Sequence, residues 1–436
     1  MEDNIKYHIV TIDIGTSHIA GVVGRKYEDG TYSIVAHGSE SSISCIRRGN
    51  IYNLEETADL INKLIKSLED QLNGGVIDKF YIGTGGQSLC TSDHIEHKKI
   101  KKGTVITEDI LIALCEQCVK NKIGSLRMID IAQAIYYINK QKEAFPVGLS
   151  GEKIEGHYKL VFCRESVCYN IENCIQKIEN KNIAGILATP QALADATLSD
   201  KDKEPGCALI DFGAGVTNIS VYKNGELLQM ATIPLGSNLI TKDLISLGIT
   251  RTKAEMLKIE SGCAMPNEKD DDKTIDVDMD GLKCTISTKE FNAIVHARAT
   301  EIVENIYTRI NEVAKLKSLG AGIIIAGCGA NLKGFQELIK EKCKVRVRRA
   351  NIKQGLIRNQ PEIIKDPIYM NSISLILKGA EACVTLPEPI EKVIIKEDLP
   401  KIKNPSDPNN NTQKEGFGVR LKKALEKIIE ETTIEN

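Results

Sequence analysis

Tryptophan is absent from the chain and aromatic residues make up only 4% of it, so any core must rest on Ile, Leu and Val. Long apolar runs are missing too: none approaches the about 18 residues that carry a helix across a bilayer. The opening Met1-Glu-Asp-Asn4 lacks the basic and apolar character of a secretory leader, so a protein that stays in the cytoplasm is expected. Neither sign of charge is in excess. The net charge is −2, which leaves composition no argument for a nucleic-acid partner. Cysteine is not scarce, but its 13 copies are odd in number and scattered through segments that look like strands and helices. Reduced thiols account for that pattern better than a disulfide framework. What remains is ordinary for a soluble globular protein: 42% hydrophobic, 27% charged, and 436 residues, enough for two or more domains.

The most informative stretch is Leu209-Ile-Asp-Phe-Gly-Ala-Gly-Val-Thr-Asn-Ile-Ser220. An apolar run delivers Asp211 to the end of a strand. Gly213 and Gly215 permit a tight turn, and a second strand returns. Successive backbone N–H groups in such a turn can form a concavity for phosphate. A neighbouring carboxylate can hold hydrated magnesium. Residues 9–38 follow the same plan: a strand to Asp13, the turn Gly15-Thr-Ser-His18, a returning strand, and a third from Tyr32. Two three-stranded meanders, each with Asp-x-Gly at the first turn, predict two related lobes facing each other. Gly15, Thr16 and Ser17 of the first turn, and Gly213, Ala214, Gly215, Val216 and Thr217 of the second, are the candidate phosphate contacts. Simple turn chemistry explains each copy taken alone.

A third marker is Gly322-Ile-Ile-Ile-Ala-Gly-Cys-Gly-Ala-Asn331, a buried strand ending in small residues. Gly327, Cys328, Gly329, Ala330 and Asn331 leave room for a flat adenosine group, although any strand-to-helix turn needs small residues. Glu255 and Lys258 are i, i+3 neighbours on a helix predicted over 252–259: either a ribose clamp or a surface ion pair. Helices are also expected over 55–72, 108–122, 289–318 and 374–383. Gly83-Thr-Gly-Gly86 could be a third phosphate contact, but reads more simply as a plain turn, since no helix start follows it. His94, His97, Cys115 and Cys118 have metal-like spacing, but two cysteines at i, i+3 on a helix are more simply core residues. The run Lys98-Lys-Ile-Lys-Lys102 is a solvated loop. Asp276-Val-Asp-Met-Asp-Gly281 opens like a calcium loop, but Ser287 stands where such a loop needs glutamate.

Five of the 12 prolines fall between Pro387 and Pro408, the composition of an extended linker. Beyond it Phe417, Leu421, Leu425, Ile428 and Ile429 share one helical face, with Arg420, Lys422, Lys423 and Lys427 around it. A basic amphipathic helix on a tether suits a membrane surface. Each lysine adds about 1 kcal/mol near an anionic leaflet. Docking on the protein's own body is the alternative.

These features resemble the superfamily of actin, sugar kinases and heat-shock chaperones, and within it the FtsA family of bacterial cell-division proteins. Phe145-Pro-Val-Gly-Leu-Ser-Gly151 is similar to a segment of that family's inserted subdomain. The resemblance implies an α/β, two-lobed actin-like ATPase fold built from duplicated ribonuclease-H-like domains. The expected division is 1–83 and 167–204 for the first lobe, 84–166 for its αβ insert, and 205–385 for the second lobe with a small subdomain about 240–315. A disordered linker, 386–415, and the helix, 416–436, complete it. The resemblance further implies ATP and magnesium between the lobes, with Asp13 and Asp211 facing the metal through water. It implies FtsZ, through its C-terminal tail, as partner, along with other divisome proteins, filaments of the chain itself, and a place on the cytoplasmic face of the inner membrane. Thr189 stands where hydrolysing relatives carry a water-orienting Glu or Gln. Gln191 is the nearest substitute, Val216 replaces a usual threonine, and Cys328 a common glycine. Slow or absent hydrolysis is therefore expected. A pilus-assembly scaffold of the PilM type and a kinase of the same superfamily are the rivals, and the tethered helix separates the first of these.

Overall fold

Two sheets with the same strand order form the body of the protein. The structure is a computed structural model and describes residues 5–119, 123–267, 274–279, 282–359 and 362–387. In the first sheet the antiparallel meander Ile5–Ile14, His18–Tyr27 and Tyr32–Ser41 is followed, on the side of its first strand, by parallel strands Lys79–Thr84 and Asn182–Ala188. In the second, the meander Cys207–Phe212, Thr217–Lys223 and Glu226–Ile233 is followed in the same way by Gly322–Ala326 and Val347–Arg349. The duplication expected from the two turns is thus a duplication of whole sheets, and the fold is the two-lobed actin-like α/β architecture.

The sequence patterns behind this are direct. Ile9, Val10 and Ile12 are fully buried, as are Ala208, Ile210 and Phe212, because both first strands lie inside their sheets with helices covering the faces. The helix Leu54–Glu69 starts where the Asn53 side chain accepts the Glu56 N–H, and buries Ala58, Ile61, Leu64, Ile65 and Leu68 against the first sheet. The long helix Thr288–Val313 buries Phe291, Val295, Ala299, Ile302, Val303, Ile306 and Ile310 in the second core.

Two features depart from the sequence-based expectations. The insert's strands are Cys90–Lys99, Leu126–Ile138 and Lys153–Arg164, and the first runs into the lysine stretch expected to be a loop. Their sheet adjoins the outer strand of the second meander through an Ala231–Cys90 bridge. Polar contacts reinforce the junction: Thr91 Oγ1 accepts from Met230 N (3.2 Å), and Gln133 Oε1 from Leu227 N (2.8 Å). Second, the late helix is Met370–Ile376, not 374–383. Gly379 stops it being read correctly: a Cβ there would collide with Ile9, so the chain presses against the first strand instead of continuing helical. The acidic stretch near Asp276 is a hairpin, Thr274–Met279 with Leu282–Ser287, as the missing glutamate led one to expect in place of a calcium loop.

Cys115 and Cys118 are buried in the helix Glu108–Val119, and burial pushes the Cys118 thiol up to about 12. Among the described residues no group of three His, Cys, Asp or Glu could hold a metal ion, and no helix is long and apolar enough to cross a membrane. The expected linker beyond Pro387 and the membrane-binding helix with Phe417 and Ile429 lie outside the described residues.

Candidate functional site

The two Asp-x-Gly turns meet across a cavity of about 90 Å3 between the sheets. Their internal geometry is the same. Gly15 N donates to His18 O (3.1 Å) and Gly213 N to Val216 O (3.0 Å), each a bond from turn glycine to the third residue on. At equal offsets from the aspartate, Thr16 corresponds to Ala214, Ser17 to Gly215 and His18 to Val216. No described residue accepts from the N–H of Thr16, Ser17, Ala214 or Gly215, so four donors stand uncommitted at the cavity wall. The turns touch: a Cβ on Gly215 would collide with Thr16 Oγ1 and come within 3.0 Å of the Arg48 Cα. About 90 Å3 is the share of some three water molecules.

Asp13 and Asp211 lie at the bottom of this cavity, at the ends of the two central strands. Asp13 Oδ1 accepts from the Thr189 hydroxyl (2.8 Å) and Oδ2 from Asn371 Nδ2 (3.3 Å). Asp211 Oδ2 accepts from Asn218 Nδ2 (3.3 Å), and Asn218 is itself fixed by Thr232 (2.7 Å). Burial pushes the Asp13 carboxyl up to about 6, opposed by the Thr189 hydrogen bond and reinforced by the charge of Asp211. Burial raises Asp211 as well. The Cys328 thiol is pushed up to about 12, first by burial and then by Asp211, Asp366 and Asp13. Two facing carboxylates this poorly solvated form an anionic socket that a divalent cation would satisfy. The donor set is all oxygen, which suits magnesium.

Of the sequence-predicted residues, Asp13, Gly15, Thr16, Ser17, Asp211, Gly213, Ala214, Gly215, Val216, Gly327 and Cys328 line the cavity. Thr217 does not: it is buried and its hydroxyl donates to Leu235 O (2.6 Å). Gly329 and Ala330 are buried behind the turn, and Asn331 accepts from Arg349 (2.7 Å). Lys258 is buried and engaged with Glu255 (2.7 Å), Thr241 Oγ1 (3.0 Å) and Ser237 O (3.3 Å), so the pair is a clamp beside the second turn rather than a wall of the cavity. Gln191 faces away, donating to Asp195 (3.0 Å) and accepting from Tyr222 (3.5 Å). Thr189 takes the place beside Asp13. Gly85, read as part of a plain turn, also lines the cavity. Gly49, Asn218 and Asn371 were not foreseen. The Thr16 hydroxyl that accepts the Gly49 N–H (2.9 Å) is local enough to guess, but Asn371 lies 358 residues from Asp13 and gave no sequence signal.

Comparison with known proteins agrees with this geometry. A family model described as "Cell division protein FtsA" matches residues 208–374. Curated relatives under that name extend the likeness: one from Porphyromonas gingivalis is 28% identical over 397 residues, covering 89% of this chain and 83% of the relative. One from Bacillus subtilis is 28% identical, covering 86% and 84%. The chain is similar to FtsA proteins over most of its length. An Escherichia coli FtsA is 25% identical over 404 residues and is covered to 93%. Among solved structures, a chain of a PilM–PilN type IV pilus biogenesis complex superposes with a TM-score of 0.57 at 12% identity, covering 86% of this chain and 98% of its own. At that identity the likeness is one of fold. The partial family match, the shared strand order and the paired turns agree in an actin-like fold with its sequence likeness to FtsA.

Proposed function

We propose that the cleft binds ATP with magnesium and that the bound nucleotide holds the two lobes at the angle needed for a scaffold that attaches FtsZ filaments to the cytoplasmic face of the inner membrane. One observation carries the nucleotide part: two opposed turns with four uncommitted N–H groups above a pair of buried carboxylates. Phosphate oxygens would take the N–H groups. Asp13 and Asp211 would hold the magnesium, which supplies charge neutralisation between phosphate and carboxylate. The Gly327 turn would receive adenosine, and the Glu255–Lys258 clamp would reach the ribose once the lobes part.

The scaffold part rests on the likeness to FtsA proteins and on the sequence beyond the described residues. Phe417, Leu421, Lys422, Lys423, Leu425, Lys427, Ile428 and Ile429 form the membrane face, carried on the proline-rich linker. Within this reading residues 84–166 are an inserted subdomain, about 240–315 receive the FtsZ tail, and copies of the chain associate into filaments alongside other divisome proteins. Hydrolysis is slow, because Gln191 is committed elsewhere and Thr189 is hydrogen-bonded to Asp13. Loss of a positioned general base removes about 10²–10⁴ in rate. A turnover of several per second by the purified protein would refute that.

Liposome sedimentation tests the anchor. The full chain should sediment with anionic vesicles and a version ending at Pro408 should not; equal sedimentation overturns the membrane assignment. FtsZ polymer should co-sediment only with vesicles carrying the full chain. A PilM-like scaffold, favoured by the fold likeness alone, would leave FtsZ in the supernatant.

A further inference from the structure

A second cavity, of about 500 Å3, lies where the strand Val347–Arg349 leaves the second sheet and the chain crosses toward Met370–Ile376. Its volume falls in the range of small-molecule pockets, about 300–1,000 Å3. Ile352, Ile357, Ile364 and Met370 give it an apolar body. Its charged lining is of one sign: Arg349, Lys353 and Lys365, with no Asp or Glu in the wall.

None of these three cations is neutralised by an ion pair among the described residues. Arg349 donates to neutral acceptors, Asn331 Oδ1 (2.7 Å) and Ala330 O (2.6 Å). Lys353 is half-buried; burial and then Lys203 pull its ammonium below the usual range, against the charges of Asp195, Asp200 and Asp202, none of which lines the cavity. Lys365 is exposed at the rim. Like charges lining an apolar hollow favour an anion with a hydrophobic body.

The position of the cavity gives it leverage. Its floor belongs to the second sheet, through Ile325 and Arg349. Its outer wall is pinned to the first lobe: Lys353 N donates to Ala196 O (2.9 Å), Ile357 bridges to Tyr32, and Arg358 pairs with Asp29 (2.9 Å). Gly327 and Pro367 line both this cavity and the carboxylate cleft. Gly327 is in the left-handed region (φ 86°), and a Cβ there would lie 2.5 Å from Asp211 Oδ1. One glycine's thickness therefore separates the two.

We propose that this cavity is a second ligand site, for an amphiphilic organic anion: an aromatic or short aliphatic body carrying a carboxylate, sulfonate or phosphate head. The head meets Lys353 and Lys365 at the rim and the body lies on the isoleucines. Because the cavity is walled by both lobes, its occupancy and that of the carboxylate cleft are coupled, each changing the other's affinity by the same factor.

The absence of tryptophan makes the test specific. Ile352→Trp puts the only indole of the chain in the cavity wall, and Tyr52→Trp puts one on an exposed site of the first lobe. The probe is anilinonaphthalene sulfonate, added to the full chain without lipid. Saturable energy transfer is expected from the indole at position 352 and little from that at 52. Adding Lys353→Glu and Lys365→Glu should weaken the probe at least tenfold, with Lys365→Met alone, at an exposed position, as the variant that keeps the fold. Equal transfer from both positions, or unchanged affinity in the folded charge variants, overturns the proposal. So does complete competition by MgATP, which would make the cavity part of the nucleotide cleft; a finite shift with both ligands bound supports it. MgATP binding measured on the same proteins reports separately on the nucleotide reading.

Discussion

Replacing Asp13 with asparagine should stabilise the nucleotide-free protein while abolishing its response to MgATP. The buried Asp13 carboxyl is raised from its ordinary value to about 6. A group raised in this way favours folding fully below its unfolded value and loses that contribution as pH rises through about 6. At pH 7.5 the metal-free protein therefore carries an ionised carboxylate that its surroundings oppose. A raise of about 2 units corresponds to about 3 kcal/mol at 1.36 kcal/mol per unit. Relaxation and water entry bring the expectation for the variant to about 1–3 kcal/mol. Asparagine keeps the acceptor for the Thr189 hydroxyl, and Asn371 can turn its amide to present oxygen to the new Nδ2. Two lobes do not unfold as one two-state unit, so the readout is the midpoint of the first-lobe transition in urea, in EDTA, at pH 4 and pH 7.5. The variant's advantage should be present at pH 7.5 and shrink toward nothing at pH 4. Wild type at 100 times the dissociation constant of MgATP should gain about 2.7 kcal/mol, and the variant should gain almost none. A variant that is less stable at pH 7.5 by the amount it is less stable at pH 4 would show that ionisation is not the issue. A variant that keeps the full MgATP response would remove Asp13 from the metal site.

Two further outcomes follow from close contacts. Gly215→Val should hold the turns apart, since its Cβ would collide with Thr16 Oγ1 and crowd the Arg48 backbone; overpacking of this kind costs about 1–3 kcal/mol. Nucleotide affinity should fall, small-angle scattering should show a wider lobe angle, and a compact, fully binding variant would contradict the contact. Lys378→Met should destabilise by about 3–5 kcal/mol, the usual effect of stripping one partner from a buried ion pair. The half-buried ammonium holds Asp195 (3.0 Å) and Asp130 (3.5 Å), and those two negative charges raise it against desolvation. The change should also loosen the insert, visible as faster proteolysis between residues 126 and 164. An unfolding midpoint within 0.5 kcal/mol of wild type would mean the two carboxylates find other partners.

What the sequence determined by itself was local. Aspartate, glycine and the bond from Gly15 or Gly213 to the third residue onward lie within a few positions, so each turn was legible, and its repetition announced the second lobe. The helix over 54–69 was legible for the same reason: its cap and apolar spacing are contained within the segment. The Glu255–Lys258 spacing was visible as well, but spacing does not fix where an ammonium points. Thr241 and Ser237 turned it into a clamp outside the cavity. Gln191 shows the same limit. Its position just after Pro190 suggested a catalytic neighbour, while Asp195 and Tyr222 captured its amide.

Only the tertiary structure decided the rest. The helix Met370–Ile376, although it follows the second lobe in the chain, packs on the first sheet, where Ser372 donates to Ala20 O and accepts at its carbonyl from Thr11 (both 2.7 Å), and so Asn371 reaches Asp13. The insert's junction with the second meander and the basic cavity beside Gly327 arise in the same way. Turn chemistry is set by residues adjacent in the chain. Burial, charge compensation and the closeness of two lobes are set by residues hundreds of positions apart, and hydrophobic periodicity carries no record of which distant partner fills a given space.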